Sequence, residues 1–362
     1  MTPGLKDAID LSVLKRALVV KLRHHGDVLL TSPVFTSLKE AAPGVEIDAL
    51  VYADTRPMLD GHPSISEVFG VGRDWKNLSF ANRLGKELQL LRSLRARRYE
   101  LILHLSEHPR GAWLARVLGC RYAVAPDYGG RSKFWRNSFS HRVSLAKNAR
   151  RHMVEWNLDA LRRIGVYPSE QRDLVLVPGD QAEREAENIL ARHGLQKKGF
   201  VHLHPASRWP FKCWTPNRYA ALIRTLMRRG DRVVITAAPD EWEKNYVEII
   251  LGMCEEKPIS LAGQLSLKSL AALTSRAKVF VGVDSAPMHI AAAMAAPVVA
   301  LFGPSGEAEW GPWGRNTRVV SSSRFPCRPC GVDGCGGGKH SECLATLSEA
   351  DVLKAMDEVL SD

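Results

Sequence analysis

Short, almost wholly apolar runs alternate with longer amphipathic stretches along this chain, and the alternation occurs twice. Residues 17–22, 46–52 and 100–105 read as strands, with helical patterns over 28–40, 80–97 and 153–164. After a Pro- and Gly-containing stretch at 165–180 the pattern restarts, with strands at 200–204, 232–236, 279–283 and 298–302. Helical stretches at 217–229, 267–275 and 288–294 lie among them. Runs apolar on both faces, each followed by a helix, call for parallel sheets covered by helices. The expected class is therefore α/β, with two doubly wound halves facing across a cleft. A length of 362 residues agrees, since a single core rarely grows so large. The expected division is 1–167, 168–347 and a terminal helix at 348–362 that packs back on the N-terminal half.

The formal net charge is +11, which favours phosphate, nucleic acid or an anionic membrane surface as partner without choosing among them. The longest apolar-rich run, 290–302, is short and contains Pro297, so no segment spans a bilayer. No signal-peptide pattern precedes the first strand, and the expected location is the cytoplasm, with peripheral docking on the membrane left open. Seven cysteines in such a chain argue against a disulfide framework.

In doubly wound sheets, ligands bind beyond the carboxyl ends of the strands. Three loops there carry chemistry. The first, Arg23-His24-His25-Gly26-Asp27, lacks the spaced glycines of a dinucleotide site and offers a carboxylate at a helix start. Asp27 is either a helix cap or a reacting group. The second loop, from His204 to Trp214, holds Ser207, Arg208 and Lys212, whose cations suit phosphate oxygens. In the third, an apolar strand ends at Asp284-Ser285 and a helix opens at Ala286-Pro287. Free amides and the helix dipole there suit a diphosphate, while Ser285 also suits an ordinary cap.

Taken in order, Gly26-Asp27-Val28-Leu29-Leu30-Thr31-Ser32-Pro33, Lys212-Cys213-Trp214 and Asp284-Ser285-Ala286-Pro287-Met288-His289 resemble the lipopolysaccharide heptosyltransferases, glycosyltransferase family 9. The C-terminal cysteine run is most similar to the heptosyltransferase III branch. The resemblance implies GT-B architecture, an inverting transfer from ADP-heptose to a heptose of the lipopolysaccharide inner core, and Asp27 as the general base. It implies donor contacts at Ser207, Lys212, Glu241, Leu265, Asp284, Ser285, Ala286 and His289, and acceptor contacts at Arg131 and Lys76. The family's usual Asp-Thr-Gly loop is Asp-Ser-Ala here, which sets Ala286 where glycine lets a backbone come close. Lys133 and Arg136 are expected to extend Arg131 and Lys76 into a cationic collar for the anionic acceptor. No metal is expected at the diphosphate, because Lys212, Arg208 and the helix start supply positive charge.

Cys327, Cys330, Cys335 and Cys343 open with a Cys-x-x-Cys spacing among glycines, which suits a structural zinc or a set of reduced thiols. A nucleic-acid-binding reading would use Arg95, Arg97, Arg98, Arg150 and Arg151 as contacts. The expected partners nevertheless exclude nucleic acid.

Overall fold

The computed structural model describes residues 5–144 and 150–361. The chain forms two compact units, Met1–Val177 and Pro178–Asp362. The first is built on six parallel strands: β1 (Arg16–Lys21), β2 (Glu46–Tyr52), β3 (Glu67–Val71), β4 (Leu101–His104), β5 (Tyr122–Asp127) and β6 (His141–Ser144). Their order across the sheet is β3-β2-β1-β4-β5-β6. The second unit repeats this layout with β7 (Phe200–His204), β8 (Arg232–Ile235), β9 (Ile259–Ser260), β10 (Val279–Val283), β11 (Val298–Phe302) and β12 (Thr317–Ser321). Here the order is β12-β11-β10-β7-β8-β9, again all parallel.

Each sheet thus reverses winding direction once, between β1 and β4 in the first unit and between β7 and β10 in the second. That reversal parts the loops at the strand ends and leaves room for a ligand. The central strands are buried throughout, which explains their uninterrupted apolar sequence. Leu18, Val20, Leu50 and Ile102 pack with Leu94 and Tyr99 in the first unit. Val201, Leu203, Val281 and Leu301 pack with Trp214 and Tyr219 in the second.

Three expectations are corrected. The helix read over 28–40 is two helices, His25–Leu29 and Ser32–Ala41. The buried Thr31 hydroxyl donates to the Val28 carbonyl at 2.6 Å, and Pro33 opens the second helix. The first unit ends at 177 rather than 167, because residues 168–177 lie along it as a strap. Arg172 pairs with Glu155, the Val175 amide donates to Ser32 Oγ at 3.0 Å, and Leu174 and Leu176 are buried. The terminal helix Glu349–Ser361 is part of the second unit and not a separate piece; it packs on β11, β12 and the helix Pro216–Arg228, and Val352, Met356 and Val359 join that unit's core.

Candidate active site

At the first reversal point, β1 ends in Lys21 and leads through Arg23 into the helix His25–Leu29. Asp27 stands inside the first turn of that helix, and the N-cap position is His24, so the cap reading does not hold. The Asp27 side chain is 12% exposed and lies 3.6 Å from the Arg23 guanidinium. Below it Lys21 is buried and donates to Asn157 Oδ1 at 3.0 Å, while Asn157 in turn donates to the Leu30 carbonyl. Burial pushes the Lys21 ammonium down to about 8, with Asp27 and Glu107 opposing the shift and Arg23 adding to it.

The loop after β4 and the end of β5 complete this cluster. Burial pushes the Tyr128 phenol up to about 12; Glu107 and Asp27 add to the shift, and Arg23 and Arg131 oppose it. Arg131 donates to the Glu107 carbonyl at 3.0 Å and lies 4.9 Å from the Trp135 ring centroid. His104, at the end of β4, is pushed down to about 3 by burial; its hydrogen bond to the His108 carbonyl opposes this, and the charges of His108, Lys21 and Arg131 add to it. Its ring stacks on Phe139, and a Cβ at Gly111 would collide with it, so this position requires glycine. The cluster therefore sets the Asp27 carboxylate beside the cations Arg23 and Lys21, with Glu107 and Arg131 around Tyr128.

Of the four expected acceptor cations, Arg131 is tied into this cluster. Lys133 and Arg136 are exposed on the short helix Lys133–Arg136, with Trp135 buried between them. Lys76 is exposed on the turn Arg73–Asn77. That turn is pinned beside the Asp27 loop, because Arg73 donates to the Arg23 carbonyl at 2.8 Å and sits over the Tyr52 ring.

At the second reversal point the loops after β7 and β10 meet. Lys212 reaches Asp284 Oδ2 at 2.6 Å, and the Asp284 side chain is 9% exposed. Ser285 is the N-cap of the helix Ala286–Ala293, but its hydroxyl turns back to the Val283 carbonyl at 3.2 Å. The expected side-chain cap is thus replaced, and the helix start is left to its backbone amides. His289 is buried within that helix, and Ala286 and Ser285 are half-buried. Gly282 allows the close approach of β7, since a Cβ there would meet the His204 carbonyl at 3.0 Å and the Phe280 ring at 2.7 Å.

Ser207 is buried, and its carbonyl accepts from the Trp242 indole at 3.1 Å. Arg208 is exposed, and its guanidinium lies 5.5 Å from the Trp209 ring centroid. Glu241 is exposed at the start of the helix Glu241–Gly252. Leu265 is half-buried against Leu261 and Leu273. Behind the Ser207 loop runs a buried polar chain. Thr274 meets His202 at 3.0 Å, and both His202 and His204 meet the Thr236 hydroxyl, at 2.8 and 2.9 Å. Glu243 lies 3.7 Å from the far side of His204. Burial works against the Glu243 carboxylate, but His204 and the Ala238 amide outweigh it and hold its pKa below the ordinary value.

The sequence reading missed Lys21, Glu107, Tyr128 and the His202–Glu243 chain. The available signal was Lys21 itself, a charge closing the apolar run Ala17-Leu18-Val19-Val20 of β1.

The four C-terminal cysteines share one neighbourhood. Burial raises the Cys343 thiol, Arg328 lowers it, and Cys335, Cys330 and Cys327 raise it further. All four are free thiols, and only Cys343 is buried. Among the described residues no three His, Cys, Asp or Glu side chains are grouped so as to hold a metal ion. The arginine runs proposed for nucleic acid are partly spent inside the protein. Arg97 reaches Asp48 at 2.7 Å and Arg151 reaches Asp159 at 2.7 Å.

Residues 87–340 match glycosyltransferase family 9 (heptosyltransferase). The chain belongs to this family. Lipopolysaccharide heptosyltransferase 3 of Escherichia coli is 34% identical over 341 residues, which cover 94% of this chain and 97% of the relative. Among solved structures, a family 9 glycosyl transferase from Veillonella parvula superposes with a TM-score of 0.84 at 24% identity, covering 98% and 99% of the two chains. The E. coli heptosyltransferase WaaC, solved with ADP, superposes with a TM-score of 0.74 at 21% identity over 95% of this chain and 99% of that one. The fold is α/β of the GT-B type, and the protein is an enzyme, a glycosyltransferase. Among the described residues no helix is long and apolar enough to cross a membrane.

Proposed function

We propose that the protein moves heptose from ADP-heptose to a heptose of the lipopolysaccharide inner core, inverting the sugar's configuration. The first unit holds the acceptor and the base; the second holds the donor. The observation that carries the reading is Asp27, nearly enclosed at the first reversal point and flanked by Arg23 and Lys21. Asp27 takes the proton from the incoming acceptor hydroxyl as its oxygen bonds to the anomeric carbon and the bond to the diphosphate breaks. The negative charge that builds on ADP is met by Lys212, Arg208 and the amides of the Ala286–Ala293 helix start. No metal is required in this scheme, because those groups carry the positive charge. Ser207, Glu241, Leu265, Asp284, Ser285 and His289 line the donor side, and Arg131, Lys76, Lys133 and Arg136 face the acceptor's phosphates and carboxylates. The acceptor grows at the cytoplasmic face of the inner membrane, which this enzyme meets peripherally.

The E. coli relative's name and the ADP complex of WaaC support the donor and the acceptor class. The test is turnover of ADP-heptose with a truncated lipopolysaccharide acceptor. Asp27→Asn is expected to lower turnover by a factor on the order of 10²–10⁴ while ADP affinity stays near wild type. Wild-type turnover in that variant removes the base assignment. An anomeric linkage with retained configuration, read by NMR of the product, removes the inverting scheme.

A further inference from the structure

The helix Phe80–Arg97 buries apolar side chains in the first unit through its second half only. Leu90 and Leu94 are buried and Leu91 is half-buried, whereas residues 80–89 are exposed apart from Glu87. That projecting half carries Phe80, Leu84 and Leu88, which are 82%, 45% and 41% exposed. At one hundred degrees per residue these three fall on one stripe in line with Leu91, so an apolar edge runs from the core out into solvent. A single exposed Leu is ordinary, but a stripe led by a phenylalanine this bare is not.

The stripe has neighbours of the same kind. Glu87 pairs with Arg110 at 2.5 Å, which fixes the start of the helix Arg110–Leu118 beside it. One turn along, Trp113 is 60% exposed and packs on the exposed Phe134 with ring centroids 4.6 Å apart. The surrounding charge has one sign. Besides Arg97, which is spent on Asp48 and Glu46, the helix Phe80–Arg97 carries four arginines and lysines against the single acid Glu87, which is already paired. Arg83, Lys86, Arg92 and Arg95 are all exposed. The helix Arg110–Leu118 holds no acidic residue.

We infer that this face docks on an anionic phospholipid surface, with Phe80, Leu84, Leu88 and the Trp113–Phe134 pair entering the headgroup region and the cations meeting lipid phosphates. A helix with an apolar edge framed by lysine and arginine binds in this way, and tryptophan settles at the same depth. A second protein would instead need carboxylates opposite the cations around a closed apolar socket; the one-signed charge and the projecting edge favour a lipid surface. The inference rests on the reading that the acceptor is membrane-borne, and it names the part of the protein that meets the membrane.

The experiment separates the two. The full chain is sedimented with vesicles of phosphatidylethanolamine and phosphatidylglycerol, free of lipopolysaccharide, and with vesicles of phosphatidylcholine alone. Binding is expected to the first set only. The double variant Phe80→Ser, Leu84→Ser is expected to lose on the order of tenfold in partitioning. Its transfer to a soluble, deacylated acceptor is expected to match wild type, which also shows that it folds. Arg83→Gln with Arg92→Gln, which flank the apolar stripe on its two sides, is expected to weaken binding and flatten its salt dependence. Vesicle binding by the Phe80→Ser, Leu84→Ser variant equal to wild type overturns the inference. So does binding equally strong to phosphatidylcholine, or a wild-type dimer in light scattering that the same variant turns into a monomer. Lack of transfer by the wild type to the soluble acceptor, with vesicle binding intact, counts against the proposed reaction and leaves the docking face standing.

Discussion

Lys21 is held where water would normally be needed to keep an ammonium charged. Below pH 8 it is protonated in both folded and unfolded chains, and the folded state bears the full burial cost. Between about 8 and its ordinary 10.5 the folded protein has released the proton while the unfolded chain has not, so stability rises with pH across that window. Lys21→Met lacks this dependence. Measured by urea unfolding, the stability of wild type relative to Lys21→Met is expected to improve by about 3 kcal/mol from pH 8 to pH 10.5. A difference that stays flat with pH would show that Lys21 is better solvated than its burial implies. The loss of the Asn157 contact shifts the offset between the two proteins but not its slope. Such a residue is kept for its charge beside Asp27, since an apolar side chain would suit the site's stability better.

The strands at the centre of each sheet were legible because burial on both faces leaves an unbroken apolar run, as in β1, β7, β10 and β11. Strands β3, β5, β6, β9 and β12 were not, β5 because Pro126 interrupts its apolar run. β6 alternates buried and exposed residues, β9 has two residues, and β3 and β12 are half-exposed. A short edge strand has the composition of a loop, and its pairing is decided by neighbours distant in sequence. The same holds for the site. Asp27, Lys212 and Asp284 come after the strands β1, β7 and β10, and that position marks them, whereas Tyr128 and Glu107 come near Asp27 only because β4 pairs with β1 and β5 with β4. The terminal helix misled for a related reason: its apolar face shows that it docks but not where. Removing residues 349–361 strips Val352, Met356 and Val359 from the second core, at about 1.5–3 kcal/mol for each large side chain, a substantial share of a typical domain's stability. The expected result is loss of hydrogen-exchange protection over β10 to β12 and of ADP binding, with protection over β1 and β4 retained. Simultaneous loss in both sheets would mean that the two units unfold as one.

At the scale of the whole molecule, the net charge of +11 acts through a field screened over about 8 Å at physiological salt. Charges exposed around the acceptor site feel that screening more than the Lys212–Asp284 pair does. Acceptor KM is therefore expected to rise with added salt more steeply than donor KM, and Arg131→Ala is expected to raise acceptor KM and flatten the dependence. Identical salt curves for the two substrates would take the cations out of acceptor recognition and leave Asp27 untouched.

The strap over residues 168–177 has a consequence for how such enzymes can be recombined. Because Leu174, Leu176 and the Val175 amide are satisfied on the first unit, a crossover just after Val177 leaves both sheets with their own cores closed. A crossover ten residues earlier cuts the same strap away and opens an apolar track along the helix Ser32–Ala41. Position 178 is thus the natural seam for exchanging second units between relatives, so that a first unit can take on a new companion without relearning how to fold.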